Sequence, residues 1–252
     1  MTPLTPCTKS SQFETLKKFI VIGLTIFFSL SSMAADTTPE TEPDASYALT
    51  NLKDDLNNLK YFAERVDLGR ILVLERKVDE TNALVQSKGL GNLETLNSYQ
   101  QLVLSFQYSD AFMKSISTKM NTSTVASIGQ KLDQIIKARG FDQSMNSQLV
   151  AGILNQVYNL TQQIQGQEIS GSLLEWMKKD LSVQLGSAIA TARANGDVPA
   201  SFQAANTIYS SVTSHYSELG QINSKNAAYN MVTELMGLME FYKEMATRGL
   251  HN

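Results

Sequence analysis

The chain holds few residues whose type and spacing could do chemistry. His215 and His251 are its only imidazoles, and Cys7 is its only thiol. A metal centre needs His, Cys, Asp or Glu in clusters. His215 has one carboxylate at ligand spacing, Glu218, and His251 has none, so no metal ligand set is expected. Met231, Met236, Met239 and Met245 lie close together near the C-terminus. Thioethers can hold Cu(I), but at helical spacing they read first as filler of an apolar core. Asp54 and Asp55 are adjacent carboxylates on what reads as a solvated helix face.

Motifs for catalysis are missing as well. No lysine after residue 34 has a serine three positions earlier, the spacing in which lysine activates a serine hydroxyl. A glutamate followed directly by serine, the signature of lytic transglycosylases, occurs nowhere. No catalytic, cofactor-binding or metal-binding residue is therefore expected. An enzyme is not the expectation, although dispersed carboxylates can converge in space without leaving a linear signal.

Targeting and charge narrow the class. Lys17 and Lys18 precede an apolar run of about twelve residues, Phe19 to Leu30, and the small residues Ser31, Ser32, Ala34 and Ala35 follow it. That order is the order of a secretory signal, and a membrane-spanning helix would need roughly twenty residues. Residues 1–34 are thus expected to be a cleaved signal peptide, with no permanent span afterwards. Cleavage there leaves residues 35–252 free of cysteine, so neither a disulfide nor a thiolate site is expected. It also removes Lys9, Lys17, Lys18 and Glu14, three cations and one anion, and takes the formal charge from −3 to −5. Mild acidity without a basic patch argues against nucleic acid as partner.

The elements that would position any site are helices. Residues 35–46 carry Pro39, Pro43 and four carboxylates without a large apolar side chain, which predicts a disordered acidic leader. Residues 47–252 read as one helical domain, in which 47–88 could stand as a separate N-terminal hairpin. Leu49, Leu52, Leu56, Leu59, Ala63 and Val66 recur at three and four, with Asp44 or Ser46 placed to cap. The phase slips at Leu68–Gly69, and Ile71, Leu74, Val78 and Val85 continue it until Gly89. Asn92 is placed to cap a helix of nearly thirty residues through Leu96, Phe106, Met113 and Met120. A short helix from Thr124 follows, with a stop at Arg139-Gly140-Phe141. Asp142 opens a helix ended by Gly166, and Ser172 with Glu175 has the spacing of a reciprocal cap. That helix carries Trp176, Leu181, Leu185 and Ile189 to a stop at Asn195-Gly196. Phe202 to Leu219 forms the seventh stripe, and Ser224 to Thr247 the eighth. No alternating strand pattern occurs. The fold class is all-α, a multi-helix bundle of about seven to eight amphipathic helices.

The last helix is the most informative segment. At 100° per residue, its apolar residues from Met231 to Met245 fill an arc of about 220°, twice what a surface helix usually buries. Thr233, Gly237, Glu240 and Glu244 are left as a narrow polar strip. Such a helix is either central or half-covered and offered to a partner, and Met236, Met239, Phe241 and Tyr242 are the candidate partner-contact residues.

These readings converge on an exported protein without cofactor, periplasmic or secreted, that works through protein contacts as adaptor, assembly subunit or chaperone. The expected partner is another envelope or secreted protein. The alternative is a helical hydrolase with dispersed carboxylates, or a carrier of a small apolar ligand between its helices.

Overall fold

The computed structural model describes residues 42–118, 123–124, 126–130, 145–194 and 198–247. The signal segment, most of the acidic leader, the Arg139-Gly140-Phe141 and Asn195-Gly196 stops, Met120 and His251 lie outside them. Every described segment is helix or connecting turn, with no strand among the described residues. None of the described helices is long and apolar enough to cross a membrane.

Helix α1 spans Glu42–Lys60 and α2 spans Arg65–Lys88. Helix α1 starts at Glu42, nearly two turns before Leu49 and within the leader expected to be disordered, because Pro43 is tolerated in a first turn and Ala45 already packs into the core. Its apolar line Leu49, Leu52, Leu56 and Leu59 is fully buried. The break between α1 and α2 falls at residues 61–64 rather than at Leu68–Gly69, so Ala63, past the end of α1, still packs with its leucines while Val66 turns to the other apolar cluster. Gly69 lies inside α2, where it serves a helix crossing instead of a helix end.

Gly89, at φ 75°, stops α2, and the Asn92 side chain accepts from the Glu94 amide at 2.9 Å to start α3, Leu93–Tyr108. The long helix expected here is divided at Ser109 into α3 and α4, Asp110–Ser117. Ser105 Oγ donates to the Gln101 carbonyl at 2.7 Å and Ser109 Oγ to the Ser105 carbonyl at 2.8 Å. Serines that bond back onto the preceding turn compete with the helix ladder and bend it.

Helix α5 spans Met145–Gln165 and ends before Gly166. Helix α6, Gly171–Trp176, runs through a π turn, Met177–Leu181, into α7, Ser182–Ala194. The Met177 carbonyl accepts from the Ser182 amide across this wider turn and also from Ser182 Oγ at 2.7 Å. The reciprocal cap does not form. Helix α6 starts one residue before Ser172, whose hydroxyl reaches Glu218, while Glu175 pairs with Lys179.

Helix α8 spans Val198–Ser214, and a bend at His215 separates it from α9, Tyr216–Gly220. The bend coincides with His215 stacking on Trp176 at 3.8 Å and approaching the Ser211 carbonyl through Nδ1 at 3.0 Å. The last helix, α10, spans Tyr229–Thr247 and begins later than Ser224. The Asn226 side chain holds the preceding turn by accepting from the Ala228 amide at 2.7 Å and donating to the Glu168 carbonyl at 2.8 Å.

Two apolar clusters form the core. One gathers Leu49, Leu52, Leu56, Ile71, Leu74, Phe106 and Phe112 from α1 to α4. The other gathers Leu149, Ile153, Val157, Trp176, Leu185, Ile208 and most of α10. Helix α2 belongs to both, for its Val73 sits in the second cluster. Helix α10 packs against α2, α5 and α8, with its most extensive contact on α2.

Candidate functional site

The sequence-derived candidates are placed by this packing. Met236, Met239, Phe241 and Tyr242 are all buried, 6 % exposed at most, within the protein's own second cluster. Their arc is covered by α5 and α8, which is the central position that so wide an apolar face requires. The Tyr242 hydroxyl lies 2.9 Å from the Phe202 carbonyl and 2.7 Å from Asn206 Oδ1, so its one proton has an acceptor on either side. Burial pushes its phenol well above the ordinary tyrosine range.

The polar strip opposite is covered too, by α2. Thr233 Oγ1 accepts from Arg65 Nε at 3.1 Å, and the same guanidinium donates to the Gly220 carbonyl at 2.8 Å and lies 4.5 Å above the Tyr229 ring. Arg70 Nη2 lies 3.2 Å from Glu244 and 3.9 Å from Glu240, with its guanidinium 5.0 Å over Phe112. Tyr216 donates toward Glu240 at 3.2 Å or the Met236 carbonyl at 3.3 Å. Burial first, and the Glu240 charge second, raise its phenol pKa. Gly69 and Gly237 let the two helices approach closely enough for these arms to reach across.

His215, Asp54 and Asp55 are not brought together. His215 is occupied by Trp176 and its own helix end, and Asp55 accepts from Ser127 at 3.1 Å while Asp54 faces solvent. Among the described residues no group of three or more His, Cys, Asp and Glu side chains converges as a metal site would require.

One concavity stands out, and sequence reasoning did not locate it. It is a cleft of about 470 Å³ between α2, α3 and α5. Arg76, Lys77 and Glu80 line it from α2, Gln101 from α3, and Gly152 lies on its α5 side. The rest of that wall is a row of amides, Asn155, Gln156, Asn159, Gln162 and Gln163, with Leu160 as the one large apolar residue. Their intervals of one, four, seven and eight residues place the amides on successive turns of one helix face. That spacing was the available signal, readable as an amide stripe opposite Leu149, Ile153 and Val157.

The cleft's charges are unequally matched. Arg76 grips Glu234 through Nε and Nη2, and Gln156 Nε2 donates to the same carboxylate at 2.8 Å. The Glu234 partnership raises the guanidinium pKa. Lys77 is only 7 % exposed and has no hydrogen bond or ion pair among the described residues. Its burial lowers the ammonium pKa, with exposed Glu80 acting weakly in the other direction. Asn155 is engaged through both of its side-chain atoms, with Ala151 and Arg193, whereas Gln101, Asn159 and Gln163 keep their side-chain donors and acceptors open to the cleft. Compared with known proteins, the sequence matches no family model, and no curated protein or solved structure matches it.

Proposed function

We propose that this protein is an exported, non-enzymatic helical module that acts through contact with another protein, and that the cleft between α2 and α5 is where contact is made. The observation that carries the reading is the amide row with its open partners. A side-chain amide offers one carbonyl and one N–H₂, the same complement that a peptide unit presents. The wall formed by Gln101, Asn159 and Gln163 therefore suits a polypeptide better than an apolar ligand, which would find only Leu160. No serine, threonine or histidine lines the cleft, so the hydroxyl-and-base pair of serine-type hydrolysis has no member there. The buried methionine face of α10 serves as interior packing rather than as the contact surface in this reading.

A photo-crosslinking amino acid at Asn159 or Gln163, compared with one at exposed Val183 on α7, tests the reading in cells that make the full-length protein. Discrete adducts at the two cleft positions and none at Val183 are expected. Absence of adducts at the cleft, or equal capture at Val183, would overturn it. The intact mass of the exported protein tests processing after Ala34 separately, and retention of Phe19 to Leu30 would end the exported-module part.

A further inference from the structure

Lys77 lies at the meeting of the two cleft walls, 7 % exposed and without a partner among the described residues, while the charge of its neighbour Arg76 is paired with Glu234. Lys77 keeps only a narrow contact with water, and a largely desolvated ammonium without a counter-charge is an unfavourable arrangement, since buried charges are ordinarily paired. The cleft that Lys77 lines is a route by which a counter-charge can reach it. We propose that Lys77 is the anchoring cation of the cleft, and that it seats a single carboxylate carried on a short polar peptide segment whose backbone is read by Gln101, Asn159 and Gln163. The proposal rests on the contact reading above and names the chemistry of the partner.

Charge sets the size of the anion. The cleft offers one uncommitted cation, with Glu80 at its exposed rim and the Glu234 carboxylate behind Arg76. A single negative charge balances Lys77, whereas a dianionic phosphate would exceed it and meet Glu80 as well. The ammonium's three donors suit a carboxylate's two oxygens and leave one for a backbone carbonyl. None of the residues lining the cleft is aromatic, so the stacking platform that a sugar ring commonly uses is missing. The carboxylate can be that of an internal acidic residue or of a polypeptide's own C-terminus, two sources with one chemistry.

Titration calorimetry on the full-length protein separates these cases with four probes. They are a blocked pentapeptide Ala-Gln-Glu-Gln-Ala, its blocked Ala-Gln-Gln-Gln-Ala analogue, that analogue with a free C-terminal carboxylate, and inorganic phosphate. At least tenfold tighter binding of one carboxylate peptide than of the blocked Gln analogue is expected, and the tighter of the two identifies the source. Lys77→Met should lose that tenfold preference, Lys77→Arg should keep part of it, and phosphate should bind no better than the blocked analogue. Gly152→Met should weaken every peptide, because a Cβ at Gly152 has ordinary space 3.5 Å from Gln101 Oε1 and the longer side chain beyond it enters the cleft. Thermal melts of each variant establish that it is folded.

Equal affinity for carboxylate and blocked peptides that Gly152→Met abolishes would overturn the Lys77 anchor and leave the contact reading standing. A carboxylate preference that survives in Lys77→Met would overturn the anchor too. Phosphate binding as tight as the best peptide would assign the cleft to small anions, and absence of binding by every probe up to millimolar concentration would overturn the proposal outright.

Discussion

Gly69 of α2 and Gly237 of α10 meet backbone to backbone, so that a Cβ added to either would overlap main-chain atoms of the opposite helix. On Gly69 it would overlap the Thr233 carbonyl oxygen and stand 2.9 Å from the Gly237 amide nitrogen. On Gly237 it would overlap the Gly69 carbonyl carbon and the Arg70 nitrogen. Neither neighbour is a flexible side chain that can turn away. The crossing thus fixes how near Arg65 and Arg70 come to Thr233, Glu240 and Glu244.

The first prediction follows from that geometry. Gly237→Ala should lose about 3 kcal/mol or more, since overpacking against backbone cannot be relieved by a rotamer change. Gly186→Ala is the control, because that glycine is exposed within α7 with nothing within 4 Å of the added methyl. It should gain about 0.5–1 kcal/mol from helix propensity. Urea denaturation of both variants checks the opposite signs, and a Gly237→Ala protein as stable as the parent would contradict the close approach.

Met239 and Met236 test the central position of α10. A carboxylate at Met239, 1 % exposed, would be buried without a partner, and Met239→Glu should cost above about 4 kcal/mol. Met236→Glu should cost less, because that side chain is nearer the surface at 6 % exposure. Thermal melts suffice. Two fully stable variants would show that this face is not interior packing.

Arg76 and Glu234 form a second test between α2 and α10. Arg76→Ala leaves the nearly buried Glu234 with only Gln156, and should cost about 1–3 kcal/mol, below a fully buried pair because Arg76 is partly exposed. Glu234→Gln removes the charge and keeps an acceptor, so its loss should be smaller. The double variant should lose less than the two separately, as measured by chemical denaturation of all four proteins.

Lys77 carries the stability counterpart of its proposed role. Its ammonium pKa is lowered in the folded protein, so the folded state binds its proton less readily than the unfolded chain. The unfavourable contribution is present at neutral pH and is relieved as pH rises toward the unfolded lysine value of about 10.4. Lys77→Met should therefore raise stability at pH 7 by about 1–2 kcal/mol. A loss of stability in that variant would mean that the ammonium is satisfied in the folded protein.

Alkaline pH should act through Tyr216 and Tyr242, whose phenol pKa values are raised by burial. Above the unfolded tyrosine value of about 10, the unfolded chain gives up protons that the folded one retains. Stability contributed by the neutral phenols is complete below that pH and falls as pH rises beyond it. Urea midpoints between pH 9 and 11 should decline, and Tyr242→Phe should decline less steeply.

Much of the architecture was legible in the sequence. The three-and-four spacing of Leu49, Leu52, Leu56 and Leu59 marks a buried helix face, and the structure buries all four. Asn92 caps as its chemistry dictates, and Gly89 and Gly166 stand where α2 and α5 end. The bends at Ser109 and His215 were not legible, because a stripe keeps its phase across a one-residue deviation. The cleft was legible only as an excess of Asn and Gln on one face of α5, since nothing in that face tells which helix stands opposite.

By itself, the sequence determined the helical class, the helix ends at Gly89, Asn92, Gly166 and Gly220, and which faces leave water, because caps, glycine stops and periodicity act through neighbours within a few residues. Only the tertiary structure decided that Gly69 is a crossing point rather than a break, for a glycine carries the same local signal in both roles. It also decided that the polar strip of α10 is covered by Arg65 and Arg70 from α2. Likewise, it made Lys77 a buried, unpartnered cation at a cleft. Those outcomes depend on which helix lies against which, over separations of more than 150 residues between α2 and α10, and apolar periodicity reports that a face is buried without naming its neighbour.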